Sequence, residues 1–295
     1  MKRVLVTGAT GYLGRYVVKT LNNSGYYIKV LVRDPKKMNQ PGHHLAPSIA
    51  NDVDQVVVGD VTKPDTIKGI CEDIDYVFSS VGITRQKEGL SFDDVDYQGN
   101  VNLLKEAERS QVDKFMYIHV FINDEWKNHG NLIDAKIRFV NELIESNINH
   151  IVIKPTGYFS DLTQFLTMRK RGKIYLLGDG QMKMNPIHGK DLAQFCVQSF
   201  AESNRTLDIG GPEVLTYKQI AQLAFDILNK REHIVQIPVG LLKPVSVGLK
   251  LFSKHNYGLF RFLMNVMTHD VIAPTYGENK LREYYKDVAT RDSIE

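Results

Sequence analysis

A glycine-rich turn joins the first strand of the chain to its first helix, and this junction most constrains the fold. Val4–Thr7 is apolar like a short buried strand, and Arg15–Leu21 begins a helix. The glycines between them follow a G-x-x-G-x-x-G spacing. In such a turn the first glycine allows the bend, the second admits a phosphate and the third lets helix and strand pack closely. The junction predicts a diphosphate cradle at the positive end of a helix, and thus a dinucleotide site. A plain strand–turn–helix is the alternative.

The residue after the second predicted strand indicates which dinucleotide is bound. Ile28–Val32 is a second apolar run, and its end lies about 20 positions beyond the glycine turn, where an acid would bind the ribose 2′-hydroxyl of NAD. Arg33 stands there instead. Because a guanidinium suits a 2′-phosphate, we predict NADP(H) over NAD(H). The alternative is a solvated arginine, with the neighbouring Asp34 serving a ribose.

Composition restricts the class of protein and its partners. A chain of 295 residues can bury a sizeable core in one large unit or two lobes. The net charge of +3 comes from interspersed acids and bases, so we expect no nucleic-acid partner. The two cysteines, Cys71 and Cys196, are far apart, and we expect neither a disulfide framework nor a metal site. The chain begins directly with a strand, so we expect no signal peptide and a cytoplasmic location.

Strands and helices alternate along the first half of the chain. This alternation predicts an α/β fold with a doubly wound parallel sheet, that is, a Rossmann fold. We predict a Rossmann domain over residues 1–155, completed by about 186–209, and a smaller C-terminal substrate lobe over 156–295. The further strands are expected at 55–58, 76–80, 115–118 and 151–154, and the helices at 95–110 and 133–146.

Several motifs resemble one superfamily in their order along the chain. They are TGATGYLG, GDVTKPDTI, VFSSVG, DYQGNVNLLKEAERSQVDKFMYI, IVIKPTGYFSDL and NPIHGKDLA. Together they resemble the short-chain dehydrogenase/reductase superfamily in its extended or atypical branches. The chain looks most similar to NAD(P)H-binding atypical members, which include NmrA-like, isoflavone-reductase-like, divinyl-chlorophyllide-reductase-like and complex I accessory-subunit-like proteins. The resemblance implies an oxidoreductase fold with a Rossmann domain and a smaller substrate lobe.

The resemblance also implies which residues meet the cofactor. Those expected at the diphosphate are Gly8, Thr10, Gly11, Tyr12, Leu13 and Gly14. Those expected near the adenosine and its ribose are Arg33, Asp60, Val61, Ser80, Val81 and Gly82, the last three extending toward the nicotinamide. Those expected at the nicotinamide face are Pro155, Thr156, Gly157 and Tyr158. The alternatives are structural: Asp60 could bind only its own turn, and Pro155 could only end a strand.

The expected catalytic residues depart from the superfamily pattern. Its active members carry Tyr-x-x-x-Lys on the helix before the sixth strand, where the lysine binds the nicotinamide ribose and lowers the pKa of the tyrosine. Lys136 matches the lysine, but the tyrosine position holds Leu132. The usual serine after the fifth strand is also missing, since His119 and Val120 occupy that region. A Ser–Tyr–Lys mechanism is therefore not expected.

Three side chains are candidates to replace the missing tyrosine. Lys136 could act alone on a conjugated or phenolic substrate, with ribose binding as its alternative role. His119 titrates near neutrality and could relay a proton, or be a strand-end histidine bonded to the backbone. Tyr158 could donate from the other side of the nicotinamide, or only pack.

The C-terminal half constrains function less. Residues 239–267 mix apolar side chains with lysines and an arginine, and Pro244 and the charges exclude a membrane span. We favour an amphipathic lid over an apolar substrate; the alternatives are interfacial membrane contact, a partner surface and ordinary core.

Two functions follow: an NADPH-dependent reductase of an apolar or conjugated small molecule, or an inactive nucleotide-binding sensor or assembly subunit. A nucleotide-sugar epimerase is a third, weaker alternative. The substrate stays open, and we expect a monomer or a homodimer.

Overall fold

A seven-stranded sheet organises the protein. A computed structural model describes residues 1–83, 89–126, 130–229, 231–252 and 254–291. The sheet strands are β1 (Arg3–Thr7), β2 (Tyr27–Val32), β3 (Gln55–Val58), β4 (Tyr76–Ser79), β5 (Lys114–Ile118), β6 (Asn149–Pro155) and β9 (Arg205–Ile209). Their order is β3-β2-β1-β4-β5-β6-β9, and the pairings from β3 through β6 are parallel. The order reverses between β1 and β4, so the predicted Rossmann-type α/β fold is confirmed.

The chain divides into two compact units. Unit 1 comprises Met1–His119, Asn131–Lys154 and Leu192–Leu207. Unit 2 comprises Val120–Gly130, Pro155–Asp191 and Asp208–Glu295. The division therefore assigns the segment after β5 to unit 2, a feature that the alternation of strands and helices did not indicate.

Four α-helices flank the sheet strands along the chain. They are α1 (Tyr12–Asn23), α2 (Asn100–Arg109), α3 (Asn131–Glu145) and α5 (Gly189–Ser199). On α1 the buried side chains Leu13, Val17 and Leu21 recur every four residues, which aligns them on one face of the helix. The central strands are buried because a parallel sheet is covered on both faces; Val4, Leu5 and Val6 are all fully buried, whereas the edge strand β3 is mostly exposed.

The predicted single helix over 95–110 is instead two segments. A π-helix covers Asp93–Gly99 and leads directly into α2. The side-chain amide of Asn100 donates to the backbone carbonyls of Val95 and Asp96, 3.4 and 2.9 Å away, which supports the wider turn. π-Helical turns often occur at functional sites, and this one carries a buried carboxylate.

Unit 2 contains the remaining elements. Its helices are α4 (Phe159–Lys170), α6 (Tyr217–Ile227), α7 (Lys243–Phe252), α8 (Lys254–Thr268) and α9 (Leu281–Arg291). Its short strands pair in parallel as β7 (Ile174–Leu177) with β11 (Ile234–Ile237), and antiparallel as β8 (Lys183–Met184) with β10 (Leu215–Thr216).

The segment 239–267 is not ordinary core. Among its residues whose burial the structure describes, all but Gly258 and Asn265 are exposed or half-buried. Leu241 and Val247 are 66% and 61% exposed. Residue 253 lies outside the described part of the chain. None of the described helices has both the length and the apolar character needed to cross a membrane.

Candidate functional site

The glycine turn after β1 is too tight to accept side chains. Gly8 has φ +77°, in the left-handed region that favours glycine, and its carbonyl accepts a hydrogen bond from Gly11 N at 2.9 Å. A β-carbon on Gly8 would lie 2.5 Å from Ser80 Oγ, and one on Gly14 would overlap the Gly8 carbonyl oxygen. The first and third glycines therefore allow the bend and the close packing that the spacing predicted.

The beginning of α1 has the features of an anion site. Gly11 is the N-cap residue and offers no side-chain hydrogen bond to the helix, and the first turn contains no acidic residue. The backbone N–H groups of this turn therefore have no side-chain cap, and the helix dipole is not neutralised there. The exposed Gly11 also leaves the backbone open to a ligand. These residues fit a dinucleotide diphosphate.

The β2 end carries a cluster of exposed cations. Arg33 follows β2 directly and is exposed, as are Lys36 and Lys37. Asp34 caps the short 3-10 turn Pro35–Met38, and its carboxylate accepts a hydrogen bond from Lys36 N at 3.0 Å. One carboxylate oxygen of Asp34 is thus already engaged by the backbone. The predicted preference for a 2′-phosphate over a ribose hydroxyl at this position stays a prediction.

Asp60 is bonded within its own turn. Its Oδ1 accepts hydrogen bonds from the Thr62 amide at 2.9 Å and the Thr62 hydroxyl at 2.8 Å. The adjacent Val61 is buried, and its carbonyl accepts a hydrogen bond from Asn102 at 2.9 Å. The structure thus shows the structural role that was the alternative for Asp60. Contact of Asp60 and Val61 with the adenine stays a prediction.

The loop after β4 is held in place by a buried asparagine. Ser79 Oγ donates to Asn100 Oδ1 at 2.6 Å, and Asn100 Nδ2 donates to the Val81 carbonyl at 3.3 Å. Ser80 lies against the glycine turn, where its backbone N–H donates to the Thr7 carbonyl at 3.3 Å. The predicted site residues Ser80, Val81 and Gly82 therefore form a braced loop beside the cradle.

Lys136 is buried in an ion pair. Its Nζ lies 2.9 Å from Asp96 Oδ1 and donates to the Tyr117 hydroxyl at 3.2 Å. The second carboxylate oxygen of Asp96 accepts a hydrogen bond from Ile83 N at 3.1 Å. A β-carbon on Gly82 would lie 2.5 Å from Asp96 Oδ1 and 2.9 Å from Lys136 Nζ. The loop after β4 therefore packs directly against this pair.

The surroundings of Lys136 favour its charged form. Burial alone would lower the pKa of Lys136, but the Asp96 carboxylate and the Tyr117 hydroxyl outweigh it and raise that pKa above its usual value. Burial also raises the pKa of Tyr117, although the nearby ammonium opposes this. Tyr117 is fully buried, and its hydroxyl accepts a hydrogen bond from Lys136. Lys136 is therefore a fixed cation.

The two other positions of the missing triad are also buried. Leu132 lies on α3 with 3% exposure. His119 is 4% exposed, its backbone N–H donates to the Ile153 carbonyl at 2.8 Å, and its ring meets that of Tyr117 edge-on. This bond belongs to the main chain, so both roles of the His119 ring, as a proton relay or as a structural group, stay predictions.

Residues 155–158 belong to unit 2. The Thr156 hydroxyl donates to the Asn185 carbonyl at 2.6 Å, and Gly157 adopts φ +152°. Tyr158 is the N-cap of α4, and its backbone N–H donates to the Asp161 carboxylate at 3.3 Å. Tyr158 is half-buried and Pro155 is buried. Their predicted position at the nicotinamide face, and catalysis by Tyr158, stay predictions.

Sequence reasoning missed four polar residues that support these loops, namely Asp96, Asn100, Tyr117 and Asn185. Asp96 stands in the run Asp93-Asp94-Val95-Asp96, which is typical of a solvated helix face. The fully buried Asn185 links two chain segments of unit 2, since its amide donates to Gly211 and Ala273 carbonyls at 3.3 and 2.8 Å. Only Tyr117 gave a signal in the sequence, because it is a polar residue inside the apolar run of a predicted strand.

The fold and the cradle define a dinucleotide-binding protein of the Rossmann type. Residues 8–203 match the family described as NAD(P)H-binding, and the chain belongs to that family. Membership of the atypical short-chain dehydrogenase/reductase superfamily is thereby confirmed.

Relatives with stated functions include a reductase and an assembly factor. The chain is 28% identical over 323 residues to the divinyl chlorophyllide a 8-vinyl-reductase of Zea mays, covering 97% of this chain and 79% of the maize protein. It is 25% identical over 271 residues to the photosystem II assembly factor Ycf39 of Guillardia theta, covering 89% and 79%. It spans only 60% of the cucumber vinyl-reductase.

A solved structure supports the fold. The NADPH-dependent quinone oxidoreductase QOR2 of Escherichia coli, in complex with NADPH, aligns with a TM-score of 0.68 and 17% identity. The alignment covers 97% of this chain and 99% of that protein. At this identity the likeness shows a shared fold.

Proposed function

We propose that this protein is an NADPH-dependent reductase of an apolar or conjugated small molecule. One observation carries the proposal: the loop after β4 links the cradle to the buried cation. Ser80 packs against the glycine turn, and Gly82 packs against the Lys136–Asp96 pair. A dinucleotide on the cradle would thus extend along the strand ends toward a fixed ammonium. The reductase and the NADPH-binding oxidoreductase among the similar proteins agree with this function.

The preference for NADPH rests on the β2 end. Arg33, Lys36 and Lys37 offer three exposed cations within five residues, whereas Asp34 bonds to its own turn. A 2′-phosphate carries the negative charge that such a cluster stabilises, and a 2′-hydroxyl does not. We therefore expect NADPH to bind more tightly than NADH.

Lys136 acts in this proposal as an electrostatic group. Bound NADPH would supply a hydride, so that the substrate gains a hydride and a proton while NADPH becomes NADP⁺. Of the three N–H donors of the ammonium, the described residues engage two, through Asp96 and Tyr117. The third donor and the positive charge would bind a ribose hydroxyl or stabilise negative charge developing on a conjugated substrate. Because the pKa of Lys136 is raised, the proton comes from another donor, for which His119 and Tyr158 stay candidates.

Consumption of NADPH in the presence of candidate substrates tests this function. Purified protein is incubated with NADPH and a panel of enones, quinones and ketones, and the loss of NADPH absorbance is followed. We expect turnover with at least one conjugated substrate, and its loss in Lys136→Met. A panel without any turnover, measured on protein that binds NADPH, would favour the second function.

The second function is a nucleotide-binding sensor or assembly subunit without chemistry. Two observations favour it: Leu132 replaces the tyrosine, and protein groups already engage Lys136. One of the relatives is named as an assembly factor. This function predicts that NADPH changes proteolytic protection or partner affinity without being consumed. A nucleotide-sugar epimerase stays a weaker third candidate, because Leu132 stands where such enzymes use the proton-transferring tyrosine.

The remaining features of the proposal concern location and association. A cytoplasmic location, a monomeric or homodimeric state and the absence of a nucleic-acid partner stay predictions. The exposed apolar side chains of the segment 239–267, together with its basic composition and lack of acidic residues, support contact with an anionic lipid surface. A lid role for the same segment stays an alternative.

A further inference from the structure

Arg15 is a buried arginine. In the described part of the chain, all hydrogen bonds of its side chain go to backbone carbonyls. It lies in the first turns of α1, directly after the glycine turn, and is 3% exposed. Its Nε donates to the Thr10 carbonyl at 3.0 Å. Its Nη1 donates to the carbonyls of Gln40 and Pro47, both at 2.8 Å, and its Nη2 donates to that of Lys37. One side chain thus joins the glycine turn to the segment that follows β2.

The segment after β2 is shaped around this guanidinium. A β-carbon on Gly42 would lie 2.7 Å from Arg15 Nε and 2.9 Å from its Cδ, so the chain passes too close for a side chain. The neighbouring Tyr16 donates its hydroxyl to the Leu45 carbonyl at 3.1 Å. Consecutive side chains of α1 therefore fix the segment 35–47, which includes Lys36 and Lys37.

The charge of Arg15 has no carboxylate partner among the described residues. The described ion pairs do not include Arg15, and burial lowers the pKa of its guanidinium. Four of its five N–H donors are directed at carbonyl oxygens, which are dipoles and do not neutralise a full charge. An uncompensated cation in a partly buried site favours a nearby anion. The predicted position of a 2′-phosphate, at the β2 end, adjoins the segment that Arg15 holds.

We propose that Arg15 is a positioning residue that determines specificity for the 2′-phosphate of NADPH. It fixes the turn that presents Lys36 and Lys37 beside Arg33, and its own charge adds to theirs. The inference rests on the proposed preference for NADPH. From the sequence alone, Arg15 was only the first residue of the predicted helix.

Calorimetric titration of Arg15→Met with NADPH and with NADH tests the inference. Methionine keeps an unbranched apolar stem but removes the guanidinium. We expect the ratio of the NADH to the NADPH dissociation constant to fall at least tenfold relative to wild type, with NADH binding changed less than threefold. The matched control is Arg109→Met, which removes the same charge from an exposed arginine on α2 that pairs with Glu106. It should keep the wild-type ratio.

The outcomes separate this inference from the proposed function. If wild type binds neither dinucleotide, the proposed function fails and the inference with it. If wild type prefers NADPH but Arg15→Met weakens both dinucleotides equally or leaves the ratio unchanged, only the inference is overturned. Should Arg15→Met fail to fold, Gly42→Ala provides the second test, since it displaces the segment from an intact arginine. A selective loss of NADPH affinity in Gly42→Ala supports the inference, and an unchanged ratio overturns it.

Discussion

The buried pair of Lys136 and Asp96 gives the sharpest prediction about stability. In Lys136→Met the Asp96 carboxylate, which is 0% exposed, loses its cation. In Asp96→Asn the ammonium loses its anion. Removing one partner of a buried ion pair typically costs about 3–5 kcal/mol, because the other charge stays buried and unpaired. That is a large part of a total stability on the order of 5–15 kcal/mol.

The double variant Lys136→Met/Asp96→Asn should recover most of this loss. It leaves no unpaired charge, and Asn can still accept the hydrogen bond from Ile83 N. We expect the double variant to lie within about 2 kcal/mol of wild type, since neutral replacements of buried pairs are often close to neutral in stability. With single costs of this size, the corresponding double-mutant cycle should give a coupling energy of at least about 4 kcal/mol, above the usual range of about 0.5–3 kcal/mol.

Urea unfolding followed by far-UV circular dichroism measures these quantities. Each variant is compared with wild type at pH 7 and pH 9. Because folding raises the pKa of Lys136 above its unfolded value, the contribution of the pair is fully present below that unfolded value and declines only as the pH rises toward the folded one. The wild-type pair should therefore contribute equally to stability at both pH values. Single variants that lose less than about 1 kcal/mol, with additive effects, would refute the reasoning.

Three further outcomes are expected. Tyr117→Phe removes one hydrogen bond to Lys136 and should cost about 1 kcal/mol in urea unfolding without abolishing NADPH binding; a larger loss of affinity would give the hydroxyl a direct ligand role. Gly14→Ala places a β-carbon on the Gly8 carbonyl and should weaken NADPH and NADH alike by at least tenfold in calorimetry, whereas Gly25→Ala, outside the cradle, should not. Leu241→Asp should reduce cosedimentation with anionic vesicles, and equal sedimentation of both proteins would refute lipid contact by the segment 239–267.

The elements that the sequence predicted well are those with local signals. The strands lie within two residues of their predicted ends, because each contains a short continuous apolar run. In the central strands this run reflects burial on both faces of a parallel sheet. The glycine turn could also be predicted from the sequence. The contacts that require Gly8 and Gly14 lie within the turn or next to it. Arg33 could be placed because it ends a predicted strand.

The support of the candidate site could not be predicted, because it depends on tertiary contacts. Asp96 and Lys136 are forty residues apart, and the π-helical turn changes the helical register that would otherwise orient Asp96. The acidic run around Asp96 favours a solvated face when only helical periodicity is considered. Arg15 likewise follows the glycine spacing as an ordinary helix residue, and only the folded segment 35–47 reveals its four carbonyl partners.

The Lys136–Asp96 pair also bears on which of the two functions is correct. An ion pair at this depth is weak evidence for stability, because well-packed neutral side chains serve a fold as well or better. If the double variant is as stable as wild type and binds NADPH as tightly, the ammonium has only a structural role, and this result supports the sensor function. If it is stable but binds NADPH or substrate more weakly, the fixed charge serves a ligand. Stability and ligand binding measured on that one variant thus separate a structural cation from a functional one, even though Leu132 leaves the site without the usual proton donor.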